Sequence, residues 1–222
     1  MAEGMIIDVV SDVVCPWCYV GKRRLERALA QRPEVKSGIR WLPFFLDPSV
    51  PPEGIRRIDY ISRKFGTNDK VTPMHHRLVG IGTKLGIDFR FERIDRQPNT
   101  LDAHRMIGWA QETGKAGVLV DRLFELFFTE GADIGKHDIL VEAGRTAGLE
   151  TAELRRDLAS DRDVRFVERQ ASAASTAGIG GVPFFVFGKK VAVAGAQETE
   201  VLTAAMDQAR GDSSEPLRAA TS

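Results

Sequence analysis

The sequence of 222 residues contains two cysteines, Cys15 and Cys18, and no excess of charge of either sign. Its 31 basic side chains balance 31 acidic ones, so the chain lacks the positive surface that attracts a nucleic acid. It also lacks any stretch of about 18 uncharged apolar residues, which argues against a membrane span. We therefore expect neither a nucleic acid nor a membrane among its partners.

The N-terminus lacks the features of a secretory signal. The first five residues are slightly acidic, and Asp8 and Asp12 interrupt the apolar run that follows them. The sequence therefore predicts a cytoplasmic protein. In that reducing compartment a permanent structural disulfide is unfavourable. We expect the cysteine pair to cycle between dithiol and disulfide or to remain mostly reduced.

The two cysteines stand close together, as Cys15-Pro16-Trp17-Cys18. Before them, residues 6–10 predict a short strand, and after them residues 19–31 predict a helix with apolar residues at helical spacing. A thiol in the first turn of a helix lies at the positive end of the backbone dipole, which favours thiolate over thiol. A strand, a CxxC motif and a helix in this order indicate a redox site.

The rest of the pattern places strands at both ends of the chain and helices between them. A second strand is predicted over residues 39–46, a hairpin over residues 183–194 and a final helix over residues 199–209. The helices predicted between the strands cover residues 59–65, 73–85, 100–113, 118–129, 136–147, 152–159 and 163–177.

This order of elements is the plan of a thioredoxin fold, an α/β fold. The middle helices form a large all-helical insertion between the second strand and the third. We predict a thioredoxin-like domain from residues 5–50 and 178–210, and a helical insertion domain over residues 51–177. Residues 211–222, which are small and polar, are predicted to be a disordered tail.

Four segments resemble those of a known family: DVVCPWCYVGK at residues 12–22, PFFLDP at 43–48, NTLDAHR at 99–105 and GVPFFV at 181–186. With them the sequence resembles the DsbA-like thioredoxin superfamily, and within it the FrnE-like cytosolic branch. That branch neighbours 2-hydroxychromene-2-carboxylate isomerases and kappa-class glutathione transferases. The resemblance extends over nearly the whole chain.

The resemblance implies a cis peptide bond between Val182 and Pro183, opposite the cysteines and at the start of the third strand. A proline removes an amide donor that would crowd the sulfurs, and the neighbouring backbone can accept a substrate segment as an added strand. From the residues alone, a trans Pro183 that begins an edge strand is equally compatible. We name Pro16, Trp17, Val182 and Pro183 as substrate-binding residues.

Cys15 is predicted to be the nucleophile, because it lies at the more exposed end of the helix, and Cys18 to be the resolving cysteine. In the reductive direction Cys15 attacks a substrate disulfide, and Cys18 then attacks the Cys15 sulfur to release the product. The oxidative direction reverses these steps, and the Pro-Trp dipeptide does not decide between them. Trp17 either offers an apolar face to substrates or shields the sulfur.

The histidines are the remaining candidates for chemistry. A structural zinc site needs four ligands, and no histidine shows regular ligand spacing, so we predict no metal site. His75 and His76 are predicted on a solvated helix. His104 is a candidate substrate contact or modulator of the Cys15 thiolate. The alternative for His104 is a satisfied, partly buried histidine.

Three other patterns have structural interpretations. Asn99, with Asp102 three residues later, resembles a helix N-cap with a variant capping box. A basic stretch within residues 22–27 is typical of a solvated helix face. A set of aromatic residues at helical spacing predicts core packing: Phe124, Phe127 and Phe128.

We consider three functions. The first is a thiol-disulfide oxidoreductase that reduces, oxidises or isomerises protein or small-molecule disulfides and binds no cofactor in the fold. The second is a glutathione-dependent isomerase or transferase of the 2-hydroxychromene-2-carboxylate isomerase type, with glutathione as co-substrate. That branch generally has serine where Cys15 stands and lacks the CxxC motif, which counts against it. The third is a non-catalytic, chaperone-like binding module. The sequence leaves open the physiological substrate, the direction of electron transfer and the redox partner. It also leaves open the assembly state, including whether the chain forms a homodimer.

Overall fold

The computed structural model describes residues 4–66 and 68–211, so the predicted disordered tail lies outside the described residues beyond Gly211. The chain begins with β1 (Met5–Ser11), α1 (Pro16–Ala30) and β2 (Ser37–Pro43). β1 and β2 pair in parallel. α1 begins at a proline, whose restricted φ and missing amide proton suit the first position of a helix. The predicted order of strand, CxxC motif and helix is confirmed.

Helices occupy most of the middle of the chain. They are α2 (Arg57–Phe65), α3 (Asn68–Leu85), α4 (Leu101–Glu112), α5 (Ala116–Glu125), α6 (His137–Thr146), α7 (Thr151–Leu158) and α8 (Val164–Thr176). A 3-10 turn, Phe91–Arg93, precedes α4, and α5 continues into a π-helical turn, Leu126–Glu130. None of the helices described has the length and apolar character needed to cross a membrane.

The insertion also contains a short antiparallel ribbon, in which Ile55–Arg56 pairs with Arg96–Gln97. The prediction of an all-helical insertion is therefore wrong in this detail. Each strand is two residues long. That length is too short to display the alternation of apolar and polar residues from which a strand is predicted.

The chain returns to the sheet through β3 (Phe184–Phe187) and β4 (Val191–Ala194) and ends the described part with α9 (Thr199–Arg210). β3 pairs antiparallel with β1, and β4 pairs antiparallel with β3. The sheet order is therefore β2-β1-β3-β4. The peptide bond between Val182 and Pro183, directly before β3, is cis. The predicted thioredoxin fold and its cis proline are confirmed.

One connected set of buried side chains extends from the sheet into the inserted helices. It includes Phe185 of β3 and Leu78 of α3, both fully buried. The predicted core aromatics Phe124, Phe127 and Phe128 belong to the same set and are also fully buried, which confirms their assignment. Apolar burial thus joins the two predicted domains. The domain boundaries themselves stay a prediction.

An aromatic contact attaches α1 to the insertion. The Tyr19 ring stacks on Phe124 of α5, with ring centroids 4.8 Å apart and planes 10° apart. Phe128, in the π-helical turn, lies 6.2 Å from the same tyrosine ring. Offset stacking at these distances stabilises a contact beyond the area it buries. The helix that begins at the cysteines is therefore packed firmly against the insertion.

The prediction of a solvated basic face on α1 is wrong for two residues, Lys22 and Arg24. The Lys22 ammonium is buried and pairs with Glu26 and, at 2.7 Å, with Asp121 of α5. Arg24 is also buried, and its guanidinium lies 2.5 Å from Glu198. A buried cation without a partner would be strongly destabilising, so these carboxylates make the burial possible.

Candidate active site

The two cysteines lie where β1 ends and α1 begins. Cys15 is the N-cap residue of α1, with extended backbone (φ −91°, ψ 112°), and Cys18 lies in the first turn. The Cys18 amide donates to the Cys15 carbonyl at 3.0 Å. No acidic residue occupies the first turn, and no side chain caps the helix there. The positive end of the helix dipole is therefore directed at the Cys15 position, with no acidic side chain within the first turn itself.

Both cysteines are free thiols and both are buried, Cys15 being 3% exposed and Cys18 2% exposed. The expectation that Cys15 lies at an exposed helix end is therefore wrong, although its position in the helix is as predicted. Its thiol donates to the carbonyl of Val182, with a sulfur–oxygen distance of 3.6 Å. The cis-proline segment covers the sulfur, so a substrate must displace or replace that contact.

The cis-proline segment packs directly on α1 at Gly21. A Cβ at Gly21 would lie 2.8 Å from Pro183 Cγ and 3.1 Å from the Phe185 ring. The helix and the cis-proline segment can approach this closely only because residue 21 has no side chain. Gly21 was not predicted as a site residue. Its position within the segment of residues 12–22 was the available signal.

Burial strongly affects the Cys18 thiol. Burial raises the pKa of the Cys18 thiol well above its usual value, and the neighbouring Cys15 raises it further. The nearby Ser11 side chain and the Asp12 backbone oppose this rise in pKa only in part. In the dithiol form Cys18 therefore keeps its proton at neutral pH. The raised pKa of Cys18, together with the position of Cys15 at the N-cap of α1, favours Cys15 as the thiol that attacks first.

A buried carboxylate, Asp12, precedes the motif. Its Oδ2 accepts a hydrogen bond from the Leu46 amide at 2.9 Å. His104 of α4 is buried beside it, with Nε2 3.4 Å from Asp12 Oδ1, and that nitrogen has no hydrogen-bond partner among the described residues. The His104 ring also meets the Phe45 ring edge-on, with centroids 5.7 Å apart. The structure therefore brings His104 close to the residues before the CxxC motif, and its role toward a substrate stays a prediction.

Asp12 is a site residue that the sequence analysis used only as a break in the apolar run. A carboxylate directly after a strand of buried apolar residues was the signal that could have identified it. Asp12, Val14 and Asn99 are among the residues that line a cavity of about 440 Å³. This cavity lies beside the residues that precede Cys15, and it is large enough to receive part of a ligand.

Asn99 supports the start of α4 through its side chain, but the prediction that it is the N-cap residue is wrong, because the N-cap is Thr100. The Asn99 Oδ1 accepts from the Leu101 amide, the first residue of α4, at 2.9 Å, and its Nδ2 donates to the Val50 carbonyl at 2.7 Å. The variant capping box with Asp102 is not formed. Asp102 instead contacts Arg105 at 2.6 Å and His137 at 2.8 Å.

The insertion reaches the cysteine motif through α3. Trp17 is partly buried, and the guanidinium carbon of Arg77 lies 5.6 Å from the centroid of its ring. This distance is within the range of a cation–π contact. Pro16 is likewise partly buried. Of the predicted substrate-binding residues, Trp17 thus lies beneath Arg77 of α3, whereas Val182 and Pro183 contact α1.

The remaining predicted histidines lie on α3. His76 is exposed as expected, but the His75 ring stacks on Phe91 with centroids 3.9 Å apart. Burial, with smaller contributions from Arg57 and His76, lowers the pKa of His75 to about 4. Within residues 4–66 and 68–211, no three histidine, cysteine, aspartate or glutamate side chains are grouped so that they could hold a metal ion.

The chain is similar to known proteins over most of its length. A family model described as a DSBA-like thioredoxin domain matches residues 6–207. The uncharacterized protein YwbO of Bacillus subtilis strain 168 is 33% identical over 187 residues, which cover 83% of this chain and 88% of that protein.

Solved structures share the fold. A probable DsbA oxidoreductase from Streptomyces coelicolor has a TM-score of 0.85 and 31% identity, and the match covers 96% of this chain and 93% of that one. A 2-hydroxychromene-2-carboxylate isomerase has a TM-score of 0.72 at 19% identity, covering 94% of this chain and 100% of that one. The cytosolic disulfide reductase DsbM from Pseudomonas aeruginosa, solved with GSH, has a TM-score of 0.60 at 16% identity, covering 93% and 96%. The last two similarities concern the fold alone.

Proposed function

The chain belongs to the family of DSBA-like thioredoxin domains, and on that basis we propose that it is a thiol-disulfide oxidoreductase in which Cys15 attacks and Cys18 resolves. One observation carries the proposal. The Cys15 sulfur lies at the N-cap of α1 and 3.6 Å from the Val182 carbonyl, beside the cis proline. Its substrates are protein or small-molecule disulfides and thiols.

In the reductive direction, the Cys15 thiolate attacks one sulfur of a substrate disulfide. A bond between Cys15 and that sulfur forms, the substrate disulfide breaks, and the second substrate sulfur leaves as a thiolate. Cys18 then loses its proton and attacks the Cys15 sulfur, which releases the first substrate sulfur. The substrate gains two electrons and two protons and the cysteine pair loses them, so a thiol or dithiol must reduce the pair again. Oxidation of a dithiol substrate reverses the steps.

The cis-proline segment supports this chemistry through its backbone. Pro183 has no amide proton, so no backbone N–H of that residue competes for the sulfur. The Val182 carbonyl, which accepts from the Cys15 thiol, becomes free when that sulfur enters a mixed disulfide. It can then accept a backbone amide of the substrate, as when an extended peptide adds to a sheet edge.

The experiment is a redox titration together with an insulin reduction assay, on wild type, Cys15→Ser and Cys18→Ser. We expect a two-electron titration in wild type and none in either variant. Both variants should lose insulin reduction, and Cys18→Ser should accumulate a mixed disulfide because its resolving thiol is missing. Full activity of Cys15→Ser would contradict the proposal.

The similarity in fold to a 2-hydroxychromene-2-carboxylate isomerase favours a second candidate, a glutathione-dependent isomerase or transferase. The CxxC motif counts against this candidate, since such chemistry needs no resolving thiol. An activity that requires glutathione and is unchanged in Cys18→Ser would favour it. Suppression of aggregation without turnover of either class of substrate would instead favour a chaperone-like module.

The proposal also includes the cytoplasm as the compartment, glutathione as a co-substrate and a homodimer as the assembly. The compartment rests on cysteine usage, because both cysteines are in the motif and neither is available for a structural disulfide elsewhere.

A further inference from the structure

Cations on α1 near the cysteines are neutralised by carboxylates. Lys22 contacts Glu26 and Asp121, and Arg23 lies 2.8 Å from Glu26 and 3.2 Å from Asp121. Arg24 is paired as described above. Because each positive charge has a carboxylate within ion-pair distance, these side chains offer little attraction to an incoming anion.

Arg77 differs from these residues. Its side chain is exposed, and its guanidinium lies over the Trp17 ring within the cysteine motif. Over the described ranges 4–66 and 68–211, it makes neither a hydrogen bond nor an ion pair, so its charge is not compensated by a neighbouring carboxylate. Arg77 is therefore an uncompensated cation held over Trp17, between the two cysteines in the sequence.

The packing of α3 fixes the position of Arg77. The next residue, Leu78, is fully buried in the main core. Gly82, one turn later, lies so close to Phe89 that a Cβ would be 2.7 Å from the ring. Rotation of α3 would disrupt these close contacts, which a packed interior strongly resists. The side chain of Arg77 is thus presented toward Trp17 by a rigid helix.

The start of α1 adds a second positive element. Trp17 belongs to the first turn of that helix, which contains no acidic residue. The guanidinium above Trp17 and the positive end of the helix dipole therefore lie at the same end of α1. A carboxylate attached near a disulfide sulfur would approach both of them as that sulfur approached Cys15.

We propose that Arg77 is a specificity-determining residue that favours disulfides carrying an anionic group close to the reacting sulfur, of which glutathione disulfide is an example. This inference rests on the proposed oxidoreductase function and names its substrate class. A neutral disulfide gains nothing from the guanidinium, and a cationic one is repelled. The effect is expected mainly on the association step, as for other charges at the rim of a site.

The test measures the second-order rate constant at which the reduced cysteine pair is oxidised by three small disulfides. These are glutathione disulfide, which is anionic, hydroxyethyl disulfide, which is neutral, and cystamine, which is cationic. Each reaction converts the enzyme dithiol and one disulfide into an enzyme disulfide and two thiols, so it needs no further reactant. The quantity compared is the ratio of the rate constants for glutathione disulfide and cystamine.

We expect Arg77→Gln to lower this ratio about tenfold, while the rate constant with hydroxyethyl disulfide changes less than about twofold. Arg77→Lys should keep most of the ratio. The matched control is Lys84→Gln, which removes one exposed positive charge from the same helix about 10 Å away along its axis. This control should leave the ratio unchanged.

Salt gives a readout that a purely structural role would not affect. Raising the salt from about 0.05 M to about 0.5 M should lower the wild-type ratio and leave the ratio of Arg77→Gln nearly constant. If all three disulfides oxidise wild type but the ratio is the same in Arg77→Gln, the inference is wrong and the proposed function stands. If none of the three oxidises wild type, both are wrong.

Discussion

The two packed sides of α1 differ in their chemistry. On one side Gly21 allows Pro183 and Phe185 to approach within 2.8 Å and 3.1 Å of where a Cβ would be. On the opposite side Tyr19 stacks on Phe124, and Lys22 pairs with a carboxylate of α5. The first side sets the geometry of the cysteines against the cis-proline segment through close apolar contact. The second side connects that geometry to aromatic and charged groups of the insertion.

This difference suggests how one fold can separate reactivity from selectivity. Sulfur chemistry requires the cis-proline segment to be held against the start of α1, and the close packing at Gly21 holds it there at low cost. Selection of a substrate requires groups that attract or repel at longer range, which the exposed Arg77 of the insertion provides and the paired Lys22 does not. Changes on the two sides should therefore have different consequences.

Removing the aromatic contact on the insertion side should have the largest effect. Phe124→Ala deletes a fully buried ring that stacks on Tyr19. We expect the free energy of unfolding to fall by about 3–5 kcal/mol, because the deletion leaves a cavity. Urea denaturation followed by circular dichroism measures this change.

The matched control is Val118→Ala on the same helix, where the side chain is exposed. It should change the free energy of unfolding by less than about 0.5 kcal/mol. A loss in Phe124→Ala as small as that of the control would mean that the insertion is not anchored to α1 through this ring.

Adding one methyl group on the cis-proline side should have an intermediate effect. Gly21→Ala places a Cβ in steric conflict with Pro183 and Phe185. We expect a loss of about 1–3 kcal/mol in the free energy of unfolding, as for other overpacked sites, and a slower reaction of Cys15 with disulfides. Denaturation and stopped-flow oxidation of the reduced protein would measure the two effects.

Gly108→Ala is the control, since that glycine is also inside a helix but has no atom within 4 Å of a Cβ. There the same replacement should raise the free energy of unfolding by up to about 1 kcal/mol, because alanine favours the helix. If both replacements were stabilising, the close contact between α1 and the cis-proline segment would be refuted.

A change of pH should have the smallest effect on the free energy of unfolding. It should act through His75, on the insertion side alone. The pKa of His75 is lowered from 6.5 to about 4 in the folded protein. Between these values the unfolded chain binds more protons than the folded one, so the stability contributed by neutral His75 is present above pH 6.5 and decreases as the pH falls to about 4. His75→Phe, which keeps a ring against Phe91, should weaken this dependence.

Urea midpoints at several pH values between 7 and 4 would measure the effect, with His76→Phe as a control on the neighbouring exposed histidine. Because the His75 ring is half-buried, its contribution should be smaller than the full difference in pKa implies. An unchanged pH profile in His75→Phe would contradict this prediction.

Much of the architecture could be predicted because its signals are local. The CxxC motif between a strand and a helix depends on residues within about one turn or one strand of each other, and so does the late hairpin. The cis bond at Pro183 could not be predicted from the residues alone, which are equally compatible with a trans proline. The resemblance to a known family supplied the preference for cis, and the structure confirms it.

The predictions that proved wrong concern contacts between residues far apart in sequence. Cys15 was expected to be exposed, and it is covered by a segment 167 residues later. Lys22 was expected on a solvated face, and it pairs with Asp121 across the boundary of the insertion. A helical pattern shows which residues share a face, but not which distant element packs on that face. Burial therefore could not be predicted at these positions.

The sequence by itself determined the reacting pair, Cys15 and Cys18, and the order of strands and helices around it, because these follow from spacing and local backbone preference. The tertiary structure decided the surroundings of the pair. It placed the Val182 carbonyl on the Cys15 sulfur, buried Cys18 so that its pKa rises, and brought Arg77 over Trp17. Desolvation and electrostatic attraction depend on distances in space, and only the folded chain sets those distances.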